Sequence, residues 1–525
     1  MKPGETYDLV VVGGGMGGLA AAALARSQGL RTALLEAHTK LGGCAGFFAR
    51  GPFTFDAGAT ALMGLDAGEP IGDLLRMLNI DFQAVQTPSY RVHLPDRTLD
   101  IVADSAEFEA ASAVAFPGTG AAHRTFWRLQ ANVGEALFRA AGRVPRFPMR
   151  GFGDLVHDLR ILGVSGLLAA STAVVTVRDV LRLLGLERDV AFRALIAMLL
   201  QDTAQAGPDT VPFAQAAACL QAYRRGMSRP GGGMRALAEG IGGRFASLGG
   251  DLRTATLVER VTPTADGHFA VETRRRHRLI ARQVAFNLPL ELAAALLGRD
   301  LEGLLRRRER RSRAVWSAFS GYLAIDRRAV PDDSPLFHQV LQDYGRPFHD
   351  GNNVLVSLSP PDDPGYGPPD ARVITMSTHT PPGDWADLAP SAYSARKADY
   401  QARLLGALAR ALPDAPGHLI HAEFASPRSF ARYTRRSRGA VGGPPVSRWN
   451  SGPFAVDSNV LGPGLWVVGD SVFPGQGTMA TVLSAIRVVE RITGASWDEM
   501  RRALPHREGP RSSGRRVVPL GVLPP

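Results

Sequence analysis

The chain has 525 residues, 45% of them hydrophobic and 21% charged, a globular composition too long for one compact core, which predicts two domains. Its formal net charge of +11 comes mostly from arginine, as in Arg274-Arg275-Arg276 and Arg306-Arg307-Arg308; with no DNA- or RNA-reading motif present, this excludes nucleic acid and favours an anionic membrane surface. Cys44 and Cys219 are the only cysteines and no histidine pair has metal-ligand spacing, which excludes a disulfide framework and a metal site and fits a reducing compartment.

In chain order, Tyr7 to Val12 reads YDLVVV, a β-branched strand, followed by Gly13-Gly14-Gly15-Met16-Gly17-Gly18 and an alanine-rich helix to Gly29. This is G-x-G-x-x-G in the context that its chemistry requires, after a strand and opening a helix. Gly13 serves the tight turn, Gly15 the close approach of a pyrophosphate, and Gly18 the packing of helix on sheet. The helix start offers free N–H groups and a positive dipole end to the phosphates. Asp8 and the glycine turn exclude a signal peptide here. A second strand, Arg31 to Leu35, ends in Glu36, whose carboxylate suits a ribose diol.

Lys40-Leu41-Gly42-Gly43-Cys44-Ala45-Gly46 reads as a loop pressed against a ligand or backbone, and Phe53 to Thr60 reads FTFDAGAT. The fingerprint ending in Glu36, then L-G-G-C-A, then F-D-A-G-A-T with Gly64 beyond, resembles the flavoprotein family of phytoene desaturases, carotenoid isomerases and related amine oxidases. The F-D-x-G-A-T form most resembles its bacterial carotenoid 3,4-desaturases.

Helical apolar patterns recur around Phe108 to Val114 and Ala131 to Ala141. Ile161 to Val177 carries no charge and predicts a buried helix pair, or a face that dips into one leaflet, rather than a membrane span. Gly226 to Met234 has no strand before it and Pro230 where one would end, which excludes a second, NAD-binding loop. A helix over Arg235 to Leu248 follows, then a strand over Leu252 to Val261 and another over Val284 to Phe286, ending at Asn287-Leu288-Pro289. Ala314 to Ile325, Val354 to Ser359 and Val373 to Ser377 predict an antiparallel sheet. His379, in Ser377-Thr378-His379-Thr380, reads as a packed polar residue rather than a catalyst.

The resemblance returns at Ser426-Pro427-Arg428-Ser429-Phe430, Arg432-Tyr433-Thr434 and Gly439 to Gly443. Leu465 to Val468 is a buried strand running into Gly469-Asp470, and a long amphipathic helix follows Gly477-Thr478-Met479 as far as Ile492. The tail beyond Arg502 is Arg-, Pro-, Ser- and Gly-rich and reads as disordered.

The resemblance implies an α/β fold: a Rossmann-type, glutathione-reductase-like FAD-binding domain with an α+β substrate domain containing an antiparallel sheet. The expected division is 1–100, 226–290 and 426–500 for the FAD-binding domain, 101–225 for a helical substrate or membrane-associating region, 291–425 for the sheet part, and 501–525 for the tail. Expected FAD contacts are Gly13, Gly14, Gly15, Met16, Gly17, Gly18, Glu36, Gly42, Gly43, Cys44, Gly58, Ala59, Thr60, Val258 (beside the adenine), Asn287, Gly469, Asp470 (at the ribityl hydroxyls), Gly477, Thr478 and Met479. The helix start at Thr478 would favour negative charge on the reduced ring.

The implied activity is hydride transfer from a carotenoid to flavin, a desaturation of 3,4 type on an acyclic or monocyclic substrate, with no catalytic base assignable. Quinone or oxygen would reoxidise the flavin. Attachment to the inner face of the cell membrane, from the cytoplasm, is expected. An isomerase, a ketolase and a non-catalytic flavin or carotenoid binder are the alternatives. Family members often carry His where Phe473 stands and an acid where Gln476 stands, so the reaction is the least fixed feature.

Overall fold

The first strand, Thr6–Val12, is apolar enough to lie in the middle of a sheet, and it does. In a computed structural model describing residues 6–118, 120–300 and 315–502, it lies parallel between Thr32–Leu35 and Arg278–Phe286. Asp251–Arg253 extends the sheet beyond Thr32–Leu35, and Leu465–Val467 pairs parallel to Arg278–Phe286. Phe269–Thr273 and Val258–Pro263 complete it antiparallel. The alanine-rich helix Met16–Ser27 packs between the sheet and the C-terminal helix Thr478–Thr493, small side chains allowing close approach.

The expected strand over Leu252 to Val261 is two strands on opposite edges of this sheet. Ala255 takes a φ of 48°, which turns the chain out of the extended conformation. The amides of Ala255 and Thr256 are bonded to the carbonyls of His38 and Glu36. The β-rich composition hid this turn because alanine is not a turn signal. Ser228–Pro230, where no strand was expected, pairs antiparallel with Ala84–Gln86. Proline is tolerated at this edge.

The second sheet runs in the order Leu419–Ala425, Ser317–Asp326, Ala371–Thr380, Asn353–Leu358, Phe337–Leu341, Ser89–His93, Thr98–Val102. Every pairing is antiparallel except that of Phe337–Leu341 with Ser89–His93. The last two strands, expected in the first part of the nucleotide-binding domain, thus join the other layer. Helices Ser105–Ala115, Gly120–Ala141, Phe152–Ser171, Val177–Leu183, Val190–Ala204 and Phe213–Arg225 stack beside this sheet around a core rich in aromatic and aliphatic side chains. Phe152–Ser171 is interrupted at Gly163, φ 56°. No helix among the described residues is long and apolar enough to cross a membrane. The tail beyond Arg502 and the run Arg306 to Arg308 lie outside the described residues.

Two contacts fix the segment that runs between the layers. Asp56 and Arg229 form a fully buried ion pair at 2.9 Å, and Thr60 Oγ1 lies 2.8 Å from Ser357 Oγ across the layers.

The short helix Trp497–Arg502 is tied to Thr478–Thr493 by Glu490, which accepts a hydrogen bond from the Trp497 amide at 2.6 Å. Burial pushes the Glu490 carboxyl up to about 7, above its unfolded value of 4.5. Its contribution to stability is therefore complete below pH 4.5 and lost as pH rises through about 7. Glu490→Gln keeps the acceptor and removes the titration, so wild-type Tm should fall relative to this variant between pH 5 and pH 8, by thermal melts in matched buffers. Parallel Tm profiles would contradict it.

Candidate functional site

The first glycine turn is shaped by one side chain from far along the sequence. Gly13 has φ 103°, and a Cβ there would stand 2.7 Å from the Asn287 carbonyl oxygen. A Cβ on Gly15 would stand 2.6 Å from Asn287 Oδ1, and one on Gly18 2.0 Å from the Gly13 carbonyl oxygen. The Asn287 amide donates to the Val12 carbonyl at 2.8 Å, and its Nδ2 to the Val468 carbonyl at 2.9 Å. Glu36 closes the turn from the other side, accepting from the Gly14 amide and from the His38 amide, each at 2.6 Å.

Next to this turn the Gly42 amide donates to the Gly14 carbonyl at 2.8 Å, and a Cβ on Gly43 would lie 3.1 Å from Gly15 Cα. The two glycine loops are thus in backbone contact. The Ala59 amide donates to the Cys44 carbonyl, and Arg229 Nη1 donates to the Thr60 carbonyl at 2.8 Å. Burial raises the pKa of the Cys44 thiol, which keeps it a neutral lining group.

From the C-terminal side, Leu465–Val467 delivers Gly469 and Asp470 to the same place. Asp470 Oδ2 is paired with Arg436 Nη2 at 2.6 Å, and Arg436 Nη1 holds the Gly442 carbonyl. Sequence reasoning missed Arg436, although it lies inside the segment that carried the resemblance. Helix Thr478–Thr493 begins here with no side-chain cap, as does Met16–Ser27 after Gly15.

All the candidate contacts except Gly14 and Gly18 line one cavity of about 1380 Å³. Gly14 and Gly18 shape its wall instead. Val258 lines it with Thr256 and Leu257, where the chain turns below Glu36. The cavity continues past the glycine loops between the second sheet and the helices, along Phe337, Leu355, Ser377 and His379 on one side and Asp202, Ala218, Cys219 and Ala222 on the other. His379 lies edge-on to Trp316, and burial pushes its pKa down to about 4, so it is a neutral lining group. Asp202 carried no sequence signal: it is an isolated acid near the end of a helix.

The site fits a dinucleotide with a ring system attached. Two uncapped helix starts offer amide hydrogens to anionic oxygens. The paired glycine loops leave room for phosphates, and Glu36 stands at the end of the second strand.

The NAD(P)-binding Rossmann-like domain family matches residues 11–78, which hold the first glycine turn, Glu36 and the Asp56 segment. Over 93% of this chain and 82% of the relative, the sequence is 23% identical to a prolycopene isomerase of Arabidopsis thaliana. It is 27% identical to a phytoene dehydrogenase of Streptomyces griseus over 94% of this chain and 96% of the relative. A putrescine oxidase structure superposes with a TM-score of 0.62 at 16% identity, covering 94% of this chain and all of that one. The chain's homologues are prolycopene isomerases and phytoene dehydrogenases or desaturases, of the carotenoid desaturase/isomerase family of flavin oxidoreductases. Its cofactor is FAD.

Purified protein should carry non-covalent FAD, and Gly15→Val should lose the flavin absorbance. The cause should be Asn287 as much as the phosphates: in a Gly15→Ala background, adding Asn287→Ala should restore part of the flavin content lost by Gly15→Ala. No recovery would assign the whole collision to the cofactor. Asn287→Ala alone strands the Val468 carbonyl and should cost about 1–3 kcal/mol of stability in denaturant titration.

Proposed function

We propose that this chain is an FAD-dependent carotenoid desaturase that introduces a C=C bond of 3,4 type into an acyclic or monocyclic carotenoid. The observation that carries the reading is the continuity of the cavity: the glycine cradle and the chamber between sheet and helices are one space. A long apolar chain can lie there along the flavin ring. FAD supplies the two-electron acceptor.

The protein's part is to orient the chain and exclude water. Phe337, Leu355, Ala218 and Ala222 give the chamber apolar walls. Gln476 fixes one end of the ring-side loop by donating to the Thr203 carbonyl at 2.7 Å. Phe473, beside it, packs edge-on against Phe147 with Arg487 over its face. Neither Phe473 nor Gln476 is a strong base. Conjugation spreads cationic charge along a polyene, so proton loss does not require one. An isomerase reading is favoured by the match to prolycopene isomerases over nearly the whole chain. It retains the same cavity without net oxidation.

Feeding a carotenoid to the holoenzyme with a quinone acceptor should give a product two mass units lighter and shifted to the red. Unchanged mass with altered cis/trans composition would make it an isomerase, and added oxygen a ketolase. Either result overturns the desaturase reading.

Delivery from a membrane is part of the proposal. Phe152, Leu155 and Leu159 are 79%, 38% and 41% exposed along one helix, which also carries the exposed Arg160. Leu162 on the same helix lines the cavity. The protein should sediment with anionic liposomes and be released only in part by salt. Phe152→Glu combined with Leu159→Glu should keep it in the supernatant. Sedimentation unchanged in this variant would move the contact elsewhere.

A further inference from the structure

Asp202 stands in the last turn of helix Val190–Ala204 and lines the chamber. Among the described residues its carboxylate accepts one side-chain hydrogen bond, from Tyr223, whose hydroxyl lies 3.0 Å from Oδ2. That hydroxyl is also 3.2 Å from the Leu199 carbonyl, so a single proton is divided between two acceptors. The neighbours Tyr90, Ala218, Cys219 and Ala222 bring no positive charge. Burial pushes the carboxyl up to about 6, with Tyr223 opposing. A carboxyl so placed is costly in an apolar chamber unless something else bonds to it.

We infer that Asp202 anchors an uncharged hydroxyl at one end of the substrate, and that the bond presented to the flavin is measured from this anchor. The inference rests on the polyene reading above. An ammonium group would also pair with a carboxylate, but the apolar walls offer no second partner for a full charge. A hydroxyl donates to the carboxylate and leaves only one oxygen to desolvate.

The anchor is held by the same sheet that supports the Thr60 loop of the cofactor cradle. Tyr90, whose ring meets Tyr223 at 4.7 Å between centroids, lies on strand Ser89–His93. The Thr60 loop bears on strand Asn353–Leu358 through Ser357. One strand, Phe337–Leu341, lies between them, so the strands that back the anchor and the loop are two strand spacings apart, roughly 10 Å. The Thr203 carbonyl, one residue after Asp202, is held by Gln476 of the ring-side loop. A rigid polyene bound at one end by Asp202 therefore presents one particular bond.

The test compares an acyclic polyene alcohol with the hydrocarbon of the same chain, each supplied in the same micelles to the holoenzyme with quinone. Wild type should prefer the alcohol in kcat/KM by about tenfold to a hundredfold, the range for a hydrogen bond to a charged group. Asp202→Leu should bring kcat/KM for the alcohol down to the value that the same variant shows for the hydrocarbon, and Asp202→Asn should retain most of the preference. Flavin content and Tm check that each variant is folded. Titration of flavin fluorescence with each ligand gives the same ratio as dissociation constants without turnover. A protein that binds the alcohol selectively but converts neither compound therefore supports the anchor and refutes the desaturase. Equal affinities in wild type, a preference that survives Asp202→Leu, or stronger selection of a polyene amine would overturn the anchor.

Discussion

The side chain of Asn287 is the constraint on which the cofactor cradle depends. Its amide nitrogen holds the Val468 carbonyl, its oxygen sits where a Cβ of Gly15 would be, and its backbone continues the sheet beside Val12. Segments near residues 13, 287 and 468 are thereby fastened by one planar group with two donors and one acceptor oxygen. Gly13, Gly15, Gly17 and Gly18 are small partly because Asn287 and the turn itself already occupy the space. The G-x-G-x-x-G pattern is usually explained by the ligand alone; here much of the steric demand is internal to the protein.

A second constraint acts between the layers. The Asp56–Arg229 pair is wholly enclosed, and Nε and Nη2 of Arg229 have no hydrogen-bond partner among the described residues. Burial raises the Asp56 pKa even against the pull of Arg229. A pair in this setting adds little net stability, because desolvation cancels most of the attraction. Its effect is on geometry. Asp56 also accepts from the Met234 amide at the start of helix Gly233–Ser247, and Arg229 holds the Thr60 carbonyl. The loop between the cofactor cradle and the second sheet is therefore fixed from both sides, as a site requires if a substrate is to meet a ring at one angle.

How much was legible follows from the range of the interactions involved. The first strand, turn and helix are local, and each residue there announces its role through backbone demands. Glu36 was legible because it ends a strand at a set spacing. The Asn287 side chain was named as a contact, but its clamp on Val468 was not legible, because nothing local at 287 refers to 468. The turn at Ala255 was hidden by a residue with no turn preference. Strands Phe337–Leu341 and Leu419–Ala425 went unrecognised because burial there is decided by neighbouring layers rather than by alternation. Arg436 and Asp202 were silent for a common reason: a charged residue shows its environment only when the chain has been folded around it.

The sheet that holds the cradle is built from strands near the beginning, the middle and the end of the chain, with Leu465–Val467 the last to be made. At about 5–20 residues per second, the ribosome delivers that strand roughly 20–90 s after the first one. Until then Val468 is missing from the grip of Asn287, and the alanine-rich helix lacks Thr478–Thr493 and has only helix Gly233–Ser247 packed against it beside the sheet. Pairings this far apart in sequence are slow to form and leave apolar surface open meanwhile. The nascent protein therefore spends most of its synthesis with the cradle incomplete, and a nonsense mutation anywhere before Leu465 removes the strand that brings Val468 to Asn287.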